Sequence, residues 1–506
     1  MNLKGNVSTF IKDNKGINLF FAFLSACLFL TSCIPVVYVG LFNYATGDDL
    51  LYGSVVKRAL AENVPFLDMI KLAMEDVINE YYSFQGTWSS QFLWRFEPSI
   101  FGEKCYIITV FIALFSILLG TYYFMKVVLV ESGFCDSITL FTILNLLMFF
   151  SIQYMPYPRG GIYWFTGMTH YTFPYGLTLF GLGLAIKFLR NGSKKYLVGI
   201  ILICFYIGGS GYPSVVICGI GVSYCIAVGV FSNEGNMQKR AVMLFVPAVI
   251  LLIGFAISAM APGNNIRGGE GYYFSFGRVF YVIYKCLYEG IIGGIKYFLV
   301  VRPLFLLPVG VIILSLQLGK RVNVTTKKMA LTVVLGLILV CMVRSPEIYA
   351  GDTVVAGISG GVYDTYYYIT LLYIVIVSML LGMRVGTRIN NIGFEKIKTG
   401  YLVVAILFCM CFGKHLIGNS LIYNCLNYIA AGHLADYDKQ MKERISILNT
   451  TKNDEVILPF INDEQGPLMH MPVTVDESNY TNYVTAKFYG KKSVIGMDRK
   501  EWELRK

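Results

Sequence analysis

The sequence predicts an all-α polytopic membrane protein, and three observations carry that expectation. Of 506 residues, 56% are hydrophobic and 14% charged, against roughly 45–50% and about 25% in soluble domains. The mean hydropathy is +0.60. The apolar residues gather into repeated runs of the length that crosses a bilayer as one helix, about 20 residues. Lipid is the solvent that suits such a surface, which excludes secreted enzymes, cytosolic nucleotide-binding folds and disordered chains. The net charge of +11 does not signal a nucleic-acid partner, because the basic residues lie between the apolar runs, where they orient helices.

The first run, Leu19 to Phe42, is 24 residues without a charge and follows Lys4, Lys12 and Lys15. It is too long for the core of a cleaved signal and reads as a signal anchor, although Leu30-Thr31-Ser32-Cys33 resembles a lipoprotein cleavage box. Runs near 105–130, 137–157, 171–190, 195–212, 213–232, 241–261, 298–319, 328–345, 363–384 and 397–417 bring the expected spans to about eleven. The apolar stretch 279–297 is left out of that count. Its Lys285, Glu289 and Lys296 share one helical face, which suits an interfacial helix better than hydrocarbon. With the N-terminus inside, eighteen basic residues, among them Lys4, the Lys320–Lys328 cluster and Lys398, fall in short cytoplasmic segments. The C-terminus is then outside. Residues 1–417 form the transmembrane module and 418–506 an extracytoplasmic region, with a helix near 433–449, a strand near 455–459 and a small mixed α/β cap. The twelve cysteines contain no C-x-x-C pair, and eight lie in apolar runs, as small core or lipid-facing residues do. Four scattered histidines do not suggest a multi-histidine metal site.

The segments left outside are long, aromatic and acidic: 43–104, 158–170, 262–297, 346–362 and the tail. Loops of that length usually carry function or are disordered. The first opens with Asp48-Asp49 just past the first span. A carboxylate at a sheltered interface can take a proton from an acceptor hydroxyl, and its neighbour raises the pair's pKa or helps it hold a divalent cation. An Asp-Asp helix cap near Leu50 has the same sequence. Leu67, Ile70, Met74, Val77, Ile78 and Tyr81 then recur at helical spacing, indicating an amphipathic helix. Gln85 and Trp88 follow in an aromatic, amide-rich stretch that suits a sugar ring, as it also suits an interfacial belt.

The second constellation is Pro262-Gly263-Asn264-Asn265-Ile266-Arg267-Gly268-Gly269. A Pro-Gly turn with Asn264, Asn265 and Arg267 offers backbone N–H groups and a forked guanidinium to a phosphate, or is an ordinary loop with a snorkelling arginine. Arg159 with Trp164 and His170, and Arg344 at a span end, are further candidates. His170 reads equally as a hydrogen-bonded structural histidine, and Arg344 as a headgroup anchor. No Walker loop, strand–GxGxxG–helix or GxSxG elbow is present, which argues against nucleotide-driven and serine-hydrolase mechanisms.

An acidic pair in a long first outer loop, many spans and amphipathic loop helices together resemble the GT-C superfamily of integral-membrane glycosyltransferases. More narrowly, they are similar to the bacterial Gtr-type glucosyltransferases. Asp48-Asp49, Gln85-Gly86-Thr87-Trp88, Pro262-Gly263-Asn264 with Arg267, and Asn482…Phe488-Tyr489-Gly490 carry that resemblance in order and position. It implies transfer of a sugar from a polyprenyl-phosphate donor to a surface polysaccharide or glycopolymer, outside the cytoplasmic membrane, usually with inversion. A donor-making synthase and a flippase are the implied partners beside the lipid membrane. Carried over, Asp48 or Asp49 is the base, with Asp48 preferred. Arg267 holds the lipid phosphate with Asn264, Asn265, Arg159 and Arg344. Trp88, Gln85, Trp164 and His170 contact sugar or acceptor, and a cation at Asp48-Asp49 stays open. Two alternatives remain: a transporter or flippase of lipid-linked saccharides, which calls for charged or broken helices at mid-bilayer, and a polysaccharide polymerase or ligase.

Overall fold

The computed structural model describes residues 3–268, 275–320, 325–351, 360–388, 394–462 and 465–505. Gly269, Arg321 and residues 352–359 of the 346–362 outer segment lie outside the described residues. The chain begins with a long helix, α1 (Leu3–Gly40), and continues through the loop helices α2 (Asp48–Ala61), α3 (Phe66–Ser83) and α4 (Trp88–Trp94). The bundle is built next from α5 (Ile108–Met125), α6 (Ser137–Gln153), the short α7 (Pro158–Gly161) and α8 (Phe165–Gly167), α9 (Phe173–Asn191), α10 (Lys194–Gly208) and α11 (Tyr212–Val230). Then come α12 (Gly235–Met243), α13 (Phe245–Ala259), α14 (Pro262–Gly268), α15 (Phe276–Val300), α16 (Leu306–Ser315), α17 (Thr326–Met342), α18 (Ser345–Gly351), α19 (Gly360–Gly386) and α20 (Phe394–Gly418). The C-terminal part is α21 (Leu421–Ala430), α22 (His433–Thr450), β1 (Glu455–Pro459), α23 (Tyr480–Phe488), β2 (Ser493–Met497) and α24 (Arg499–Leu504).

Among the described residues, seven helical stretches are long and apolar enough to cross a membrane: 16–40, 103–130, 165–191, 212–230, 235–259, 302–319 and 360–386. The chain is therefore a predominantly helical, multi-pass membrane protein. Two more expected spans correspond to shorter apolar helices, Ser137–Gln153 and Met329–Met342, and a third to the fifteen-residue α10. On α13 the outward side chains Val249, Leu252 and Ile253 are exposed while Leu251 is buried. Such a surface is stable only against acyl chains or other protein.

Packing inside the bundle depends on small residues. α5 and α9 meet where Gly120 faces Gly176, so tightly that a Cβ on Gly120 would lie 2.0 Å from the Gly176 carbonyl oxygen. Backbone approach of this kind is how membrane helices gain contact when no hydrophobic effect separates them from lipid. The stretch 279–297 lies within α15. It lays Val282, Cys286 and Gly290 inward, pairs Lys285 with Glu289 at 3.3 Å along its own face, and is not among the seven spanning stretches.

The C-terminal region matches its expected elements closely. β1 and β2 pair in parallel, with Val456 opposite Val494. A parallel pair needs a crossover, and α23 lies in it. Leu448, Val456, Leu458, Val473, Ala486 and Val494 form a separate small core, so this cap is a βαβ unit resting on α22.

Gly120→Val drives a branched side chain into the α9 backbone. It is expected to cost about 1–3 kcal/mol or more, read as a lower thermal midpoint in detergent. Gly219→Ala, whose new Cβ meets only Leu251 at 3.7 Å, is expected to change stability by less than about 0.5 kcal/mol.

Candidate functional site

The acidic pair opens α2, and the fold gives its two members different surroundings. Neither caps the helix: Gly47 holds that place with φ 56°, a left-handed conformation that favours glycine, and a Cβ there would strike Met471. Asp48 and Asp49 are the first two helical residues, where carboxylates complement the helix dipole. Successive helical residues point about 100° apart, so one side chain turns into the bundle and the other away from it.

Asp49 is the inward one and is fully buried. Its Oδ1 accepts from the Thr166 N–H at 2.9 Å and the Thr166 hydroxyl at 2.6 Å. Its Oδ2 accepts from the Tyr106 hydroxyl, which in turn accepts from the Phe165 N–H at 3.1 Å. Burial pushes its carboxyl up to about 6, against the pull of these donors. With both oxygens engaged, Asp49 joins the first loop to two helix ends. The neighbouring Asp48 charge adds to that upward push on Asp49, as an adjacent carboxylate does. Among the described residues no three His, Cys, Asp or Glu side chains gather as a metal site.

Asp48 is half-buried and faces the cap. Its Oδ1 accepts from the Tyr480 hydroxyl at 2.5 Å. Oδ2 is neither hydrogen-bonded to a described residue nor sealed from solvent. Burial raises its carboxyl pKa, while the Tyr480 hydrogen bond and the nearby Arg267 charge pull it down. Asp48 and Arg267 therefore share one electrostatic environment across 219 positions of sequence.

Arg267 closes α14, which is a helix where a Pro-Gly turn was expected; Pro262 suits its first position, where no N–H is needed. The Arg267 guanidinium donates through Nη1 to the Gln85 side-chain oxygen and lies over the Phe84 ring at 4.9 Å. The side chain is otherwise exposed, and among the described residues Gln85 is its one hydrogen-bond partner. Asn264 is not among the groups free for a ligand: Oδ1 accepts from Gly86 N–H at 3.1 Å and Nδ2 donates to Ser258 and Ala259 carbonyls at 2.8 and 3.1 Å. It fastens α14 to the 84–87 turn and so aims Arg267. Asn265 is exposed and bonds to no described residue.

The remaining candidates are structural struts or lie deeper. Trp88 does not stand open as a sugar platform; its ring packs on Phe205 at 4.9 Å and over Gly209 and Gly254, wedged between α10 and α13. Arg159 gives Nε and Nη2 to the Gly466 carbonyl at 3.1 and 2.7 Å, a strut to the cap. Arg344 is buried and paired with Glu289 at 2.9 Å, which neutralises the charge a phosphate would need. His170 sits on a π-helical turn, Met168–Thr172, with Trp94 at 5.4 Å. Its Nδ1 and the Trp164 Nε1 are buried without a hydrogen-bond partner among the described residues.

Several residues around Asp48 carried no local signal in the sequence. Tyr480 lies 432 positions away. Glu80 of α3 feels the Asp48 charge, and its carboxyl is raised by burial. Arg95 is fully buried, ion-paired to Asp76 at 2.8 Å, and sits over the Tyr52 ring at 4.8 Å. Glu97 is buried beneath α2, its carboxylate accepting from the Ser99 N–H and hydroxyl, and burial with the Asp49 charge pushes it up to about 8. Asp364 did have a signal, being an acid in the 363–384 run. Its Oδ1 accepts from the Tyr157 N–H at 2.7 Å and its Oδ2 is buried without a partner. No family model matches the chain, and no curated protein resembles it closely enough to count as a relative.

Two outcomes follow from these buried groups. Arg95→Ala removes a fully buried guanidinium and its charged bond to the part-exposed Asp76 and is expected to cost about 1.5–3 kcal/mol, measured by thermal or chemical unfolding. For Glu97, the folded chain keeps a proton that the unfolded chain releases above the ordinary glutamate value of 4.5. Its stabilisation is complete below that pH and is lost as pH rises through about 8. Glu97→Gln removes that slope; identical pH–stability curves for variant and wild type would show that Glu97 carries none of it.

Proposed function

We propose that the chain is a membrane glycosyltransferase. In this reading it moves a sugar from a polyprenyl-phosphate donor to a surface glycan or glycopolymer on the outer face of a bacterial cytoplasmic membrane. The observation that supports it most is the pairing of Asp48, with an accessible carboxylate oxygen, and the Arg267 guanidinium in one electrostatic environment. Asp48 takes the proton as the acceptor hydroxyl attacks the anomeric carbon. The bond from that carbon to the phosphate oxygen breaks, and the lipid phosphate leaves carrying the electron pair. Arg267, oriented by Gln85 and Phe84, offsets the developing charge. The sugar arrives already activated on lipid, so no nucleotide-binding fold is required.

The topology belonging to this reading has eleven spans, adding α6, α10, α17 and α20 to the seven long stretches, with the N-terminus inside and the cap outside. It also assigns the exposed stripe of α3, where Phe66, Leu67, Met74 and Ile78 face outward while Met69, Ala73 and Val77 pack inward, to the membrane surface. The donor's polyprenyl tail stays in the bilayer while its phosphate reaches Arg267.

The test is transfer by the purified full chain from a panel of polyprenyl-phosphate sugars. Asp48→Asn is expected to lower turnover about 10²–10⁴-fold with unchanged folding, and Arg267→Gln to weaken donor use. Asp49→Asn is expected to lower the thermal midpoint first, since both its oxygens hold structural bonds. Wild-type activity must fall as pH drops through the raised Asp48 pKa. Full turnover in Asp48→Asn would remove this reading.

A further inference from the structure

The C-terminal cap touches the first loop at the point where the proposed base sits, and the contact is prepared from both sides. On the loop side, Thr46 accepts from the Met471 N–H at 2.9 Å, and Tyr44 donates to Asp438 at 2.6 Å. Lys57 of α2 lies over the Phe488 and Tyr489 rings at 3.6 and 4.2 Å, and Tyr489 donates to Glu103 at 3.1 Å. On the cap side, the Asn479 side chain caps α23 through Thr481 N–H at 3.0 Å. Asn482 holds the chain before it, through Thr474 N–H at 2.8 Å and Thr474 C=O at 2.7 Å. Tyr480 is the first residue of the helix so fixed. Its hydroxyl reaches Asp48 at 2.5 Å although the ring is 44% exposed.

Four loop side chains, Tyr44, Thr46, Lys57 and Glu103, and two cap asparagines, Asn479 and Asn482, set where the Tyr480 phenol lies. We propose that Tyr480 is a positioning residue for the reaction: its hydroxyl, supplied by the cap, fixes the Asp48 carboxylate through Oδ1 and leaves Oδ2 directed to the acceptor hydroxyl. The active site is then composite, half from the first loop and half from the cap. The inference rests on Asp48 being the base. The phenol can serve only as donor here, because burial and the Asp48 charge hold its own pKa far above the working range. Donation to the charged carboxylate lowers the Asp48 pKa. The other groups that face Asp48 are Arg267 of α14, Glu80 of α3, and Asp49 and Tyr52 of its own helix, and none of them lies on the cap. Tyr480 is therefore the cap's handle on the base.

The test uses the full chain and two readouts. A hydrophobic carbodiimide labels protonated carboxyls, so the pH midpoint of Asp48 labelling, followed by mass spectrometry, reports its protonation without any substrate. In Tyr480→Phe the midpoint is expected to rise by about one pH unit, the scale of one hydrogen bond to a charged group. Tyr483→Phe, an exposed hydroxyl on the same helix, is expected to leave it unmoved. With polyprenyl-phosphate glucose as the donor probe and release of glucose followed, Tyr480→Phe is expected to lower kcat about 10–100-fold. KM should change little, and the acid limb of the pH profile should move up with the label. An unmoved midpoint, or a pH profile that stays in place while stability falls, overturns the proposal and leaves the base assignment standing if Asp48→Asn is inactive. Full activity of Asp48→Asn overturns both.

Discussion

The bond from Asp49 to Tyr106 and Thr166 is the constraint on which the site depends. A carboxylate removed entirely from water is tolerated only when its oxygens are satisfied, and here three donors from two separate segments meet it. This fixes the start of α2 against the ends of α5 and α8. Once Asp49 is held inward, helical geometry leaves Asp48 no choice but to turn toward the cap. The two carboxylates form a unit in which one is spent on position so that the other can be aimed.

The same division runs through the rest of the polar residues. Asn264, Arg159, Trp88 and Asn482 each use their hydrogen-bonding or packing capacity to hold one segment on another, and Arg344 gives its charge to Glu289. Among the described residues, Asp48 Oδ2, the Arg267 guanidinium and several buried polar atoms, those of Trp164, His170 and Asp364 included, are less committed. A membrane protein gains little from the hydrophobic effect between its helices. Polar struts at helix ends, where backbone groups come free, therefore carry much of the burden of specifying one arrangement.

How much of this was legible in the sequence follows from the same physics. Hydropathy locates spans because lipid forces every spanning backbone into helix, and the expected helix near 433–449 and strand near 455–459 appear as His433–Thr450 and Glu455–Pro459. The acidic pair itself was visible as composition. Its split was not, because adjacent carboxylates look alike until the partners of each are known, and those partners are Tyr106, Thr166 and Tyr480. Arg95 and Glu97 were passed over in an aromatic loop for the same reason: burial is a property of the fold. Trp88 and Arg159 misled in the opposite direction, since an aromatic or a cation in an outer loop has the composition of a ligand site whether it faces a ligand or a neighbouring helix.

The electrostatics around Asp48 bear on how such a site can act. In the absence of donor, the Arg267 charge lowers the Asp48 pKa and burial raises it. In the proposed reaction, a lipid phosphate arriving at Arg267 adds negative charge close to Asp48 and takes up part of the guanidinium field. Both changes strengthen Asp48 as a proton acceptor, since a nearby like charge disfavours the ionised carboxylate. Donor binding would thus sharpen the base at the moment an acceptor is needed, while the Tyr480 hydrogen bond keeps it ionised until then. In that reading, donor charge arriving at Arg267 and the hydrogen bond from Tyr480 act in opposite directions on one carboxylate, which would couple donor occupancy to proton transfer without any large movement of the helices.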